Sequence, residues 1–128
     1  MYVLIVPDKS AVYENMMPSS VRRMDREDRL TQVYDYLWKY SDMNIVEIRD
    51  QLMSAAYDRD VFFKTDNYLN SYGAFTTTNL LLAEIAANDE TIETLDLDSY
   101  EIEVAETKMK SLAMLMGYGD SYKEYDYS

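Results

Sequence analysis

Residues 30–57 read LTQVYDYLWKYSDMNIVEIRDQLMSAAY, and their spacing decides the fold class. Leu30, Val33, Leu37 and Tyr40 recur at i, i+3, i+7 and i+10, with Tyr34 and Trp38 beside them, which is the apolar stripe of a helix. Ile45, Ile48, Leu52 and Ala56 repeat that spacing. A second helix is therefore predicted over Ile45–Tyr57, with Asn44 as its cap and Glu47 at the third position, as in a capping box.

Working outward, Tyr2–Val6 is a β-branched apolar run closed by Pro7 and predicts a buried strand. Residues 7–18 lie between two prolines and read as a loop. A charged helix start is expected from Ser19 or Ser20 through Arg22, Arg23, Asp25, Arg26, Glu27, Asp28 and Arg29. Toward the C-terminus, Val61–Phe63 predicts a short strand. Asp66-Asn67 and Ser71-Tyr72-Gly73 predict turns, and Phe75–Thr77 either a third strand or the lead into a helix over Asn79–Ala87. A last helix is predicted over residues 99–116. Asp98 and Glu101 form its capping box, Ile102, Ala105, Met109, Leu112 and Met116 its apolar face, and Gly117 its C-terminal cap.

The expected fold is α+β and predominantly helical, with four to five helices and a small sheet of two or three strands. One domain is expected over residues 1–117. Residues 118–128 alternate tyrosine with charge and read as a disordered tail. Leu30–Tyr40, the short turn Ser41-Asp42-Met43 and Ile45–Tyr57 resemble the first two helices of a winged helix-turn-helix. That resemblance implies a third, basic recognition helix. The next candidate, Asn79–Ala87, has no base and one acid, Glu84, so protein binding is the better expectation than DNA reading.

Composition bounds the chemistry. The 128 residues include no cysteine and no histidine, which removes the commonest general base and the usual zinc and copper ligands. No phosphate-binding glycine loop occurs, and no cofactor is expected. Asp96-Leu97-Asp98-Ser99-Tyr100-Glu101 fails the EF-hand pattern, having no glycine at its sixth position and Tyr100 at its fifth, so no metal is expected either. The N-terminus lacks a basic leader and no apolar run approaches a membrane span, so a cytoplasmic, membrane-free protein is expected. These absences together predict that the chain is not an enzyme.

Charge is the feature that points to a partner. The net charge is −12; residues 1–64 hold 11 acids and 9 bases, residues 65–128 hold 13 acids and 3 bases. From Thr65 to Thr107 there is no lysine or arginine, and eight acids crowd into residues 89–106. Such a field repels nucleic acid and attracts basic surfaces. Arg22, Arg23, Arg26 and Arg29 form one basic cluster, but interleaved acids and the molecule's overall charge argue against nucleic-acid binding there. Asp89, Glu90, Glu93, Asp96, Asp98, Glu101, Glu103 and Glu106, on two helical pieces, would space carboxylates about 5–6 Å apart at Cβ, near a phosphate repeat. Tyr100 beside them, and Tyr118, Asp120, Tyr122, Glu124, Tyr125, Asp126 and Tyr127 in the tail, would extend the same surface.

In acidity, size and tyrosine–carboxylate richness the chain resembles the small inhibitors that phages and plasmids deploy against host defence, anti-restriction DNA mimics and anti-CRISPR proteins. The resemblance implies phosphate mimicry: occlusion of a basic nucleic-acid channel on a host enzyme, with the acids above as the partner surface. The alternative expectation is a non-catalytic adaptor or structural subunit whose methionines and tyrosines make protein contacts or a homodimer.

Overall fold

The computed structural model describes residues 1–21, 27–108 and 110–127. Within them lie β1 (Tyr2–Leu4), α1 (Lys9–Val12), α2 (Arg29–Tyr40), β2 (Asn44–Val46), α3 (Arg49–Asp58), α4 (Ser71–Ala86), β3 (Val104–Glu106), α5 (Ser111–Leu115) and β4 (Tyr125–Tyr127), with three short 3-10 turns. The predominantly helical α+β expectation holds. The two sheets have two strands each: β1 and β2 pair in parallel, β3 and β4 antiparallel.

Parallel pairing needs a crossover, and the chain supplies α1 and α2 between β1 and β2. Tyr2, Val3 and Leu4 face Asn44, Ile45 and Val46 in register. Ile45 therefore belongs to a strand, and Ile48 rather than Asn44 stands at the N-terminal boundary of α3. With β2 inserted between α2 and α3, no helix-turn-helix forms. The helix α2 forms as expected, but its buried face is centred on Tyr34, 2% exposed and donating to the carbonyl of Ile5 at 3.2 Å, while Val33 and Tyr40 of the expected stripe stand exposed. Asp28 caps α2 by accepting from the Thr31 N–H at 2.9 Å. It also receives Arg49 in a two-pronged bond of 2.6 and 2.9 Å, which ties the starts of α2 and α3 together.

The core lies between these elements. Val12, Tyr13, Val46, Ile48, Leu52, Val61 and Phe62 form one buried cluster, against which Leu69, Tyr72, Leu80 and Leu81 pack. Ile48, Leu52 and Val61 are wholly buried, each worth about 1.5–3 kcal/mol of burial. Val61–Phe63 is not a strand; it contributes a single bridge, Phe62 to Leu69. Phe75–Thr77 lies inside α4, which begins eight residues earlier than expected, at Ser71. Asn70 caps it, with Oδ1 accepting from the Gly73 N–H at 2.9 Å. Gly73 is not in a turn. It lets α4 press against the Val61 carbonyl, where a Cβ would come within 2.0 Å.

The predicted helix over 99–116 is replaced by a 3-10 turn, Leu97–Ser99, then β3 and the short α5. Gly117 does turn the chain beyond α5, at φ 80°. Residues expected as a tail carry a 3-10 turn, Gly119–Ser121, and β4, paired to β3 with Tyr127, Asp126 and Tyr125 facing Val104, Ala105 and Glu106. The helix start and basic cluster expected over Arg22, Arg23, Asp25 and Arg26, and Met109 of the last helix face, lie outside the described residues.

Candidate active site

Three segments far apart in sequence close on one loop, residues 63–70. From α1, Lys9 Nζ donates to the carbonyls of Phe63, Lys64 and Asp66 at 2.6, 3.0 and 3.0 Å. From just before β4, the Glu124 carboxylate accepts from the Lys64 N–H, the Thr65 N–H at 2.9 Å and the Thr65 hydroxyl. From α5, the Ser111 N–H donates to Asp66 Oδ2 at 2.9 Å and the Leu112 N–H to the Thr65 carbonyl at 3.0 Å. Asp126 accepts from Asn70 Nδ2 at 3.0 and 3.1 Å, and Asn70 Nδ2 also reaches the Asp60 carbonyl at 2.7 Å.

The loop is thus held by four buried polar residues, Asp66, Asn70, Glu124 and Asp126. Burial by itself would raise the Asp66 carboxyl. The Ser111 N–H and hydroxyl, the Asn67 N–H and the Lys9 ammonium outweigh it and hold Asp66 below its ordinary value, ionised at neutral pH. Desolvation pulls Lys9 down, opposed by Glu124, Asp60 and Asp66. Beside the loop runs a cleft of about 540 Å³, lined by Lys9, Ser10, Tyr13, Phe62, Lys64 and Asn67 among others. Tyr68 stands outward from the loop, 63% exposed.

Ser121 lies on the turn that leads into the Glu124 clamp. It ends the Gly119–Ser121 turn, exposed, with its N–H bonded to the Tyr118 carbonyl at 2.9 Å. Gly117 at φ 80° and Gly119 at φ 36° set that turn's direction. Three residues on, Glu124 is bolted to Lys64 and Thr65, so the serine's turn is fixed to the Asp66 loop. The serine thus sits on a sharp turn set by two glycines, in the same C-terminal segment that clamps the loop of the buried, ionised Asp66. The histidine that usually links such a pair does not occur in these 128 residues.

The acids expected to form a partner surface sit elsewhere and not on helices. Asp89 accepts from the Thr91 N–H and hydroxyl. Asp96 caps the 97–99 turn by accepting from the Asp98 N–H at 3.1 Å. Glu90, Glu93, Asp98, Glu101 and Glu103 are exposed in turns and extended chain. Glu106, in β3, pairs with Lys110 and Lys123 at 3.7 and 3.6 Å, and Tyr100 meets Phe75 edge to face at 5.9 Å. In the C-terminal set, Tyr118 follows α5, Asp120 lies within the 3-10 turn, Tyr122 and Tyr125 are exposed, Glu124 and Asp126 are buried, and Tyr127 is half-buried. Asp66 was expected only in a turn, and Lys9, Asn70 and Ser121 were not expected at a site; the pair of glycines before Ser121 was the available signal.

Comparison with known proteins places the chain in a family. The family model described as "SGNH hydrolase-like domain, acetyltransferase AlgX" matches residues 1–128. Among solved structures, the O-acetyltransferase domain of Pseudomonas putida AlgJ superposes with a TM-score of 0.64 at 15% identity, over 98% of this chain and 46% of that one. The chain therefore spans about half the length of that structure, and the likeness is one of fold. No curated protein matches in sequence.

The family match corrects the functional expectations. A phosphate-mimicking inhibitor of the anti-restriction or anti-CRISPR kind is overturned, and with it a basic nucleic-acid enzyme as the partner. The helical spacing of carboxylates on which mimicry depended is absent, and net acidity alone sets a field, not a chemistry. The expectation of a non-enzyme, whether inhibitor or adaptor, is overturned by the same match. Across all of its 128 residues the chain belongs to the family of SGNH hydrolase-like, AlgX-type acetyltransferase domains.

Proposed function

We propose that the chain carries the acyl-accepting face of an O-acetyltransferase-type domain, with Ser121 as the hydroxyl that takes the acyl group. The observation that carries this reading is the bolting of the Ser121 turn, through Glu124, to the loop that holds Asp66 buried and ionised. Family membership supplies the reaction class.

In such a transfer the Ser121 Oγ attacks the carbonyl carbon of an acyl donor. The Oγ–H proton passes to a base, the donor's leaving oxygen departs with a proton, and the acyl group remains on the serine as an ester. An acceptor hydroxyl then attacks that ester, and Ser121 recovers its proton. Asp66 is a positioning residue here. Its fixed negative charge favours a group that gains a proton on this face. Lys9 directs all three of its donors to loop carbonyls, so it braces the loop and is not the base.

The test uses an activated acetyl ester, p-nitrophenyl acetate. The expected result is a burst of nitrophenolate equal to the protein concentration and an acetyl group on the peptide containing Ser121. Ser121→Ala should remove both while leaving the circular dichroism unchanged. Acetylation confined to lysines, or a burst that survives in a folded Ser121→Ala variant, would overturn the assignment.

A further inference from the structure

A second cavity, sharing no residue with the cleft beside the Asp66 loop, lies between the end of α3, the first turns of α4 and β4. It encloses about 200 Å³, smaller than the range for drug-sized ligands and suited to one ring. Four aromatic side chains line it, Tyr72, Phe75, Tyr100 and Tyr127, and Phe75 and Tyr100 are locked edge to face. One cation belongs to its wall. The Arg59 guanidinium carbon lies 5.5 Å from the ring centres of both Tyr72 and Tyr127, held between them. No carboxylate of the described residues forms an ion pair with Arg59. Arg59 and Tyr127 also line a neighbouring polar groove, so the guanidinium stands where an apolar pocket meets a wet one.

We propose that this cavity binds a small ring carboxylate, with the ring among the tyrosines and Phe75 and the carboxylate on Arg59. A guanidinium offers two parallel N–H donors that match a carboxylate, and rings on both sides fix its orientation before the ligand arrives. Glu101, also on the wall, excludes a second acidic group and can accept from a hydroxyl on the ring. The ligand class is therefore singly charged, cyclic and compact.

The experiment follows Tyr ring and Arg59 Nε–H signals by NMR in the whole 128-residue chain during titration with benzoate, acetate and benzyl alcohol. Benzoate is expected to saturate with an affinity at least tenfold above either of the others, because only it uses both ring and charge. Arg59→Gln should weaken benzoate at least tenfold and leave benzyl alcohol unchanged; Arg59→Lys, which keeps the charge but not the fork, should fall between. The ligand series on the unaltered chain decides the matter even if a variant misfolds. Benzoate binding no better than acetate or benzyl alcohol, or shifts that map away from Tyr72, Tyr100 and Tyr127, would overturn the proposal. Neither outcome bears on acyl transfer at Ser121.

Discussion

Replacing Gly73 with alanine ought to help a helix, since alanine is about 1 kcal/mol better than glycine in a helix interior. The structure reverses that sign. The added Cβ would sit 2.0 Å from the Val61 carbonyl oxygen, 2.9 Å from its carbon and 3.0 Å from Leu69 Cδ2. The first two neighbours are backbone and cannot rotate away. Relief requires the first turn of α4 to retreat by about an ångström. That retreat lengthens the Asn70 N–H bond to the same Val61 carbonyl, now 3.1 Å, and the Asn70 cap on the Gly73 N–H, now 2.9 Å. Losing the cap costs about 1 kcal/mol, weakening the backbone bond about 1 kcal/mol, and overpacking about 2 kcal/mol. Against the propensity gain, the net loss is about 3 kcal/mol, or roughly 10 °C in Tm for a chain of this size. Thermal melts by circular dichroism, with urea unfolding as a second probe, measure it. Ala74→Gly, at the exposed neighbouring position, is the control and should cost only about 1 kcal/mol. A Gly73→Ala protein as stable as the parent would refute the seating of α4 on Val61.

Three further outcomes follow from the loop and its anchors. Glu124→Ala removes the carboxylate that accepts from the half-buried N–H groups of Lys64 and Thr65; urea unfolding should show a loss of about 1–3 kcal/mol, with faster amide exchange at both. Asn70→Asp keeps the cap acceptor but sets a carboxylate against Asp126. Tm at pH 7 should drop as for about 3 kcal/mol, read by thermal melts, because two buried like charges then face each other. Asp28 is held at about 2 by the Arg49 guanidinium and the Thr31 N–H. Its folded value lies below its unfolded one, so its contribution is present above about pH 4 and lost as pH falls toward 2. With the Asp28 side chain 41% exposed, that contribution is about 0.5–1 kcal/mol, and the stability gap between the parent and Asp28→Asn should close over that window.

How much of this fold could be read from residue order depended on whether local pattern and tertiary contact agree. They agree in α2 as to the helix itself, where Leu30 and Leu37 are half-buried beside the buried Tyr34 and Asp28 supplies the cap, though Val33 of the same stripe stands exposed. They disagree at Asn44, a good cap residue drawn into β2 because β1 has no other partner: the Asn44 N–H goes to the Met1 carbonyl, and Ile45 and Val46 take strand register. At 98–101 a capping box is present, but Asp96 takes the Asp98 N–H first and closes a 3-10 turn. The chain then extends as β3 against β4, where β-branched Val104 suits a strand better than a helix. Gly73 is the same lesson in reverse. Its turn-like neighbourhood hides a helix because the glycine is there for close approach to Val61.

The site was harder to see than the fold, and the acids explain why. Counted along the chain, carboxylates concentrate at residues 89–106, where most of them are exposed and make local caps or rim ion pairs. The carboxylates that organise the molecule lie outside that run: Asp66, Glu124 and Asp126, each buried, each accepting from backbone or amide donors across 45 to 60 residues of sequence. A charge census weights every acid equally. A buried carboxylate with two or three donors carries far more structural consequence than an exposed one, because removing its partners leaves an unpaired charge in a poorly solvated place. Glu124 and Asp126 sit between tyrosines in a segment that reads as frayed, and only the positions of Lys64, Thr65 and Asn70 show that this segment is the clamp. Once the clamp is in place, the serine three residues before it is carried on a turn whose course is tied to the loop of Asp66.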